Sequence, residues 1–155
     1  MTSPIDFEYV VPTERMRGED EEDTALLQVS LREARTYLTN FAWCHGVRKE
    51  FFGLGVGGVV AVFLFEIMAD EGNDDVLWVV SGDLPCAYVV TDNAVRPSAA
   101  LHVYCELMDD WIAAVRRGEN SPRAFPVAVA ATEENAALLE KRVAFLRTEI
   151  LPNFE

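Results

Sequence analysis

The sequence predicts an α+β domain: a three-stranded antiparallel β-meander packed with three helices, in the order α-β-β-β-α-α. Three observations lead there. Apolar residues recur at helical spacing near residues 24–44, 97–117 and 132–150. Between the first two of these stretches, the pattern changes to runs of β-branched and aromatic residues. Short, turn-rich connections separate those runs, which suits antiparallel neighbours and is too short for parallel crossovers.

The first helix is expected over about 24–44. Leu27, Leu31, Ala34, Leu38 and Phe41 draw one apolar stripe, and Gly46 follows as a C-cap. The first strand is expected over Val59 to Phe65, the second over Val76 to Val80 and the third over Ala87 to Val90. Acidic residues from Asp70 to Asp75 divide the first two, and Ser81-Gly82-Asp83-Leu84-Pro85 divides the last two. The first two strands are apolar at both parities, so helices or a second subunit must cover both faces. That need, together with the frequency of two-fold dimers, points to a homodimer.

The second helix opens at Pro97, which suits a first helical turn. Leu101, Tyr104, Cys105, Met108, Trp111, Ile112 and Val115 form its apolar face, and Gly118 ends it. Residues 119–131 read as a loop with two prolines and a short extended piece at Val127 to Val129. Thr132 caps the third helix, whose stripe is Ala136, Leu139, Val143, Leu146 and Ile150. No internal repeat and no low-complexity segment interrupts this order.

Composition bounds the function. A chain of 155 residues buries about two thirds of its extended surface, enough for one core and too little for two. The net charge is −13, from 26 acids and 13 basic residues. Such a chain lacks the basic footprint of a nucleic-acid binder and is repelled by anionic membranes. Residues 1–23 hold eight acids and two arginines. They are expected to form an acidic N-terminal arm ahead of a single domain over 24–155. The run Glu19 to Asp23 reads either as a solvated helix start or as a docking tail for a basic partner. Three scattered cysteines, no charged-then-apolar leader and no long apolar helix point to a cytoplasmic protein without disulfides or membrane spans.

The chemical motifs weigh lightly. Gly53, Gly55 and Gly58 match G-x-G-x-x-G, with Asp74 or Asp75 about 20 residues on. A strand follows them, however, where the dinucleotide motif requires a helix N-terminus. His45 and His102, with Cys44 and Cys105, are the available metal ligands, but no C-x-x-C or H-E-x-x-H spacing joins them. No metal or other cofactor is expected. Cys86, beside the turn, and Cys44, beside His45, are the candidate thiols, and neither lies in a nucleophile signature. Asp109 and Asp110 are adjacent on a helix, so they diverge rather than form an acid–base dyad. The segment that stands out is Leu77 to Pro85 with Tyr88. It reads as a buried strand stopped by a tight turn, or as the rim of a pocket formed by Trp78, Ser81, Asp83 and Tyr88.

The residues Trp78 to Pro85 with Tyr88 resemble a bacterial family known only as a domain of unknown function. Trp111 with the turn Arg116-Arg117-Gly118-Glu119, and Leu139 with Arg142 and Leu146, are similar to its later helices. The resemblance spans residues 24–154 and implies no catalytic residue. The expected function is a non-enzymatic acidic binding protein of accessory, regulatory or immunity type, acting on a basic protein partner. The alternative is a small-molecule enzyme or ligand sensor with its pocket at the Ser81–Pro85 turn.

Overall fold

A computed structural model describes residues 7–70, 74–119, 127 and 129–155, with the backbone alone for Asp74 and Asn93. Its centre is a sheet whose strands pair in chain order, every pair antiparallel. The strands are β1 (Val11–Pro12), β2 (Cys44–Val56), β3 (Val60–Ala69), β4 (Asp74–Gly82) and β5 (Ala87–Val90). Helix α1 (Glu21–Thr39) precedes β2, and helices α2 (Pro97–Arg116) and α3 (Glu133–Phe145) follow β5.

Among the described residues the α+β architecture with three α-helices holds, while the sheet is corrected from three strands to five and the order to β-α-β-β-β-β-α-α. The added strands β1 and β2 lie on one side of the expected meander. Helix α1 therefore ends before Phe41, and Gly46 lies in β2 rather than at a helix cap. Two features hide β2 in the sequence. Its middle, Arg48-Lys49-Glu50, is polar because only β1, two residues long, pairs with its outer side among the described residues. Its second half carries the glycines, which are depleted in strands. A Cβ on Gly53 would lie 2.6 Å from Pro97 Cγ, and one on Gly55 would lie 2.8 Å from Leu27 Cδ2. Close approach of α2 and α1 to the sheet explains glycine at those positions.

The period of two sorts the core into two layers. Val60, Val62, Leu64, Trp78, Val80, Ala87 and Val89 face α2 and α3. Ala61, Phe63, Phe65, Ile67, Leu77 and Val79 face α1. Each fully buried large side chain here contributes about 1.5–3 kcal/mol of burial energy. The doubly apolar strands are thus covered on both faces by helices of the same chain.

The expected acidic arm is held to this frame over its described part. Val11 and Pro12 pair with Phe52 and Phe51. Met16 is fully buried in the core on the α1 side. Asp20 caps α1 by accepting a hydrogen bond from the Asp23 N–H at 2.8 Å. Of the loop expected over 119–131, residues 120–126 and 128 lie outside the described residues, and with them most of the extended piece at Val127 to Val129. α3 runs on into a π-helical turn (Leu146–Ile150) and a 3-10 turn (Leu151–Asn153). No helix among the described residues is long and apolar enough to cross a membrane.

Candidate functional site

The turn between β4 and β5 sits where the sheet end, the β2–β3 hairpin and α3 meet. Gly82 adopts φ +134° and packs so close to the hairpin that a Cβ would lie 2.5 Å from the Val59 oxygen. The Asp83 N–H donates to that same oxygen at 3.0 Å. Tyr104 of α2 donates its hydroxyl to the Pro85 carbonyl at 2.7 Å. Arg142 of α3 donates through Nε to the Asp83 carbonyl at 2.6 Å and through Nη2 to its carboxylate at 3.1 Å. Glycine, aspartate and proline at these positions therefore join the turn to the β2–β3 hairpin, α2 and α3.

The four residues expected to rim a pocket do not share one. Trp78 is fully buried on the α2 side and donates its indole N–H to the Ala94 carbonyl at 2.9 Å. Ser81 is fully buried on the opposite side and donates to the Ser30 carbonyl of α1 at 2.9 Å. The parity of a strand separates them, since positions three apart on β4 face opposite ways. Tyr88 is on the α1 side within an aromatic cluster. Its ring meets Phe41 at 5.5 Å and Trp43 at 5.4 Å, and Phe41 stacks on Trp43 at 4.9 Å. Asp83 alone is exposed, paired with Arg142.

The candidate chemical groups are likewise dispersed. Cys44 and Cys105 are buried in the two different core layers. His45 lies at the start of β2 and bonds to Asp70 at 2.6 Å, and His102 on α2 bonds to Glu155. Among the described residues, no three His, Cys, Asp or Glu side chains could hold a metal ion together. Burial, with Glu33 adding to it, pushes the Cys86 thiol up to about 11. Burial does the same for Cys105. Both thiols are therefore protonated at neutral pH, which suits packing better than nucleophilic attack. Tyr37 is raised as well, by burial first, with a backbone hydrogen bond to Tyr88 working against it. The glycine motif lies on β2 and its hairpin. Gly57 N–H donates to Asp23 at 2.6 Å, so the acidic helix start reaches the glycine turn directly.

Two adjoining hollows of about 280 and 270 Å³ open beside the turn and share Asp83, Leu84 and Arg142. Val129 and Leu138 line the first, and Lys141 and Phe145 line the second. Sequence reasoning located the turn and missed α3 as its partner. The available signal was the pair Leu138 and Phe145, seven positions apart and off the main stripe of the helix. A larger cleft of about 770 Å³ lies at the other edge of the sheet, between α1 and β2, lined in part by Arg35, Arg48 and Lys49. There Arg35 donates to Glu50 at 2.5 and 2.8 Å, and that hydrogen bond raises its guanidinium pKa. Compared with known protein families, with curated proteins and with solved structures, the chain finds no match.

Proposed function

We propose that this chain is a non-enzymatic binding protein that recruits a basic protein partner to its acidic surface. The observation that supports this reading is the contrast between its buried and its surface polar groups. Every buried side-chain nitrogen and oxygen among the described residues has a hydrogen-bond partner. At the strand-end turn those partners are the chain's own backbone. By contrast, no acidic or basic residue among the described residues is buried, in a chain whose net charge is −13. A field of that sign speeds encounter with a cationic partner more than it sets affinity.

Within the acidic run the residues divide by task. Asp20 and Asp23 accept backbone hydrogen bonds at the helix start, while Glu19, Glu21 and Glu22 are exposed. A variant that tests recruitment without unravelling α1 is Glu19→Gln with Glu21→Gln and Glu22→Gln. Affinity capture from cell extract at low ionic strength identifies the partner. Stopped-flow mixing of the purified pair then measures the association rate. The expected partner is basic, and its association slows with added salt and slows again in the triple variant. Capture of no basic protein, or a rate indifferent to both salt and variant, overturns the reading.

A second reading, a ligand sensor or small-molecule enzyme at the Ser81–Pro85 turn, is favoured by the two hollows beside Asp83 and Leu84. Native mass spectrometry of the protein purified without added ligand separates the two. A reproducible organic mass retained on the chain supports the sensor, and a clean apo mass supports the binding protein.

A further inference from the structure

We infer that the partner docks along the outer stripe of α3, laying a basic amphipathic segment into the groove between α3 and the β4–β5 turn. This rests on the binding-protein reading above and adds a surface and a recognition chemistry to it. α3 has two apolar stripes. The inner one, Ala136, Leu139 and Val143, is buried in the core. The outer one is Leu138 and Phe145, 47% and 46% exposed. Their spacing puts them two turns apart on one side of the helix, the repeat by which a helix offers anchors to a groove-bound segment. Val129, 41% exposed, lines the same groove. Single exposed apolar residues are ordinary on protein surfaces. Three of them around two joined hollows make the kind of contiguous patch that marks an interaction site.

Charge identifies the occupant. Arg142 lines both hollows and is paired with Asp83, and Lys141 stands exposed at the middle of the stripe. Glu134 lies one turn before Leu138, and Glu149 lies one turn after Phe145. Both are exposed, and neither has an ion-pair partner among the described residues. An apolar stripe with an acid at each end complements a segment with an apolar centre and basic flanks. A second copy of this chain would bring −13 against −13. An acidic segment would meet Glu134 and Glu149. Like-charge contacts of this kind reject a wrong partner.

The test uses two synthetic peptides of equal length with leucine at helical spacing. The remaining positions are lysine in one and glutamate in the other. Fluorescence anisotropy measures binding of each to the full chain, to Leu138→Ser with Phe145→Ser, and to Glu134→Gln with Glu149→Gln. Both variant pairs alter exposed positions, and circular dichroism checks that each is folded. The leucine–lysine peptide is expected to bind and the leucine–glutamate peptide is not. Loss of Leu138 and Phe145 is expected to weaken binding by about tenfold or more, although it changes no charge. Loss of the two glutamates is expected to weaken binding and to flatten its salt dependence.

Unchanged affinity in the serine variant means charge attraction without a groove, and overturns the inference. So does equal or stronger binding of the leucine–glutamate peptide. A wild-type dimer in size-exclusion chromatography that the serine variant converts to a monomer means that a second copy covers the groove, and also overturns it. If a captured basic partner associates with the serine variant at the wild-type rate, the surface is wrong and the binding-protein reading stands. If no basic partner is captured, the reading fails and the inference with it.

Discussion

Trp78 in the middle of β4 and Asp83 just past its end are five positions apart, and they contribute to stability in different ways. Trp78 fills the α2-side core and holds the Ala94 carbonyl. Trp78→Phe is expected to cost about 2–3 kcal/mol, from the lost volume and from a buried acceptor left without its donor. Asp83→Ala removes only an exposed ion pair with Arg142 and is expected to cost less than about 1 kcal/mol. Urea unfolding of the two variants measures both, and equal losses would contradict the assignment of Asp83 to the surface. Cys86 gives a chemical test of burial. With its thiol at about 11, alkylation by iodoacetamide at pH 8 is expected to run about two orders of magnitude slower in the folded chain than in urea. Mass spectrometry of the labelled Cys86 peptide follows the rate, and similar rates in both states would place the thiol in solvent.

Between elements, two glycines with positive φ separate strain from space. Gly82, at φ +134°, has the backbone of Val59 and Val60 within 3 Å of where a Cβ would stand. Gly118, at φ +88°, has nothing within 4 Å. Gly118→Ala is expected to cost about 1–2 kcal/mol, the conformational penalty alone. Gly82→Ala adds a backbone clash and is expected to cost about 3 kcal/mol or more. Thermal melts of the pair check the difference. A second junction joins α2 to α3. Arg116 donates to Glu133 at 3.1 and 3.2 Å and to Glu140 at 2.8 and 3.2 Å. The Arg116 hydrogen bond holds the Glu140 carboxyl below its ordinary value of 4.5. A lowered native pKa contributes stability that is present above the ordinary value and is lost as pH falls through the lowered one. The melting temperatures of the wild type and Glu140→Gln are therefore expected to differ at neutral pH and to converge below that window. The exposure of the pair keeps the difference small and makes it sensitive to salt. A constant difference across the whole range would remove Glu140 from the pH dependence.

For the whole molecule, the question is what completes the core. Both faces of the sheet are covered by helices of one chain, α1 on one side and α2 with α3 on the other. The unfolding midpoint is accordingly expected not to move with protein concentration. A midpoint that rises with concentration would show that a second copy contributes to the fold. The charge of −13 acts at this scale too. Self-repulsion in the folded chain is relieved by salt, so moderate ionic strength stabilises the molecule while weakening its attraction for a basic partner.

Local pattern alone determined the helical stripes, the strands β3, β4 and β5 and the two-faced sheet. A run such as Val60 to Phe65, or a stripe such as Leu27, Leu31, Ala34 and Leu38, carries its own period and its own burial. The acidic charge and the turn at Ser81 to Pro85 were equally legible. Only the tertiary structure decided the rest. β2 is a strand because β3 pairs with it, and its glycines reflect helices that press on it from distant parts of the chain. Trp78, Ser81 and Tyr88 read as one cluster along the sequence, but the alternation of a strand sends neighbouring side chains to opposite faces. α3 joins the turn through Arg142, 59 residues away, and only packing brings Leu138 and Phe145 beside Leu84. Periodicity is written residue by residue, whereas a site depends on which surfaces the folded chain brings together.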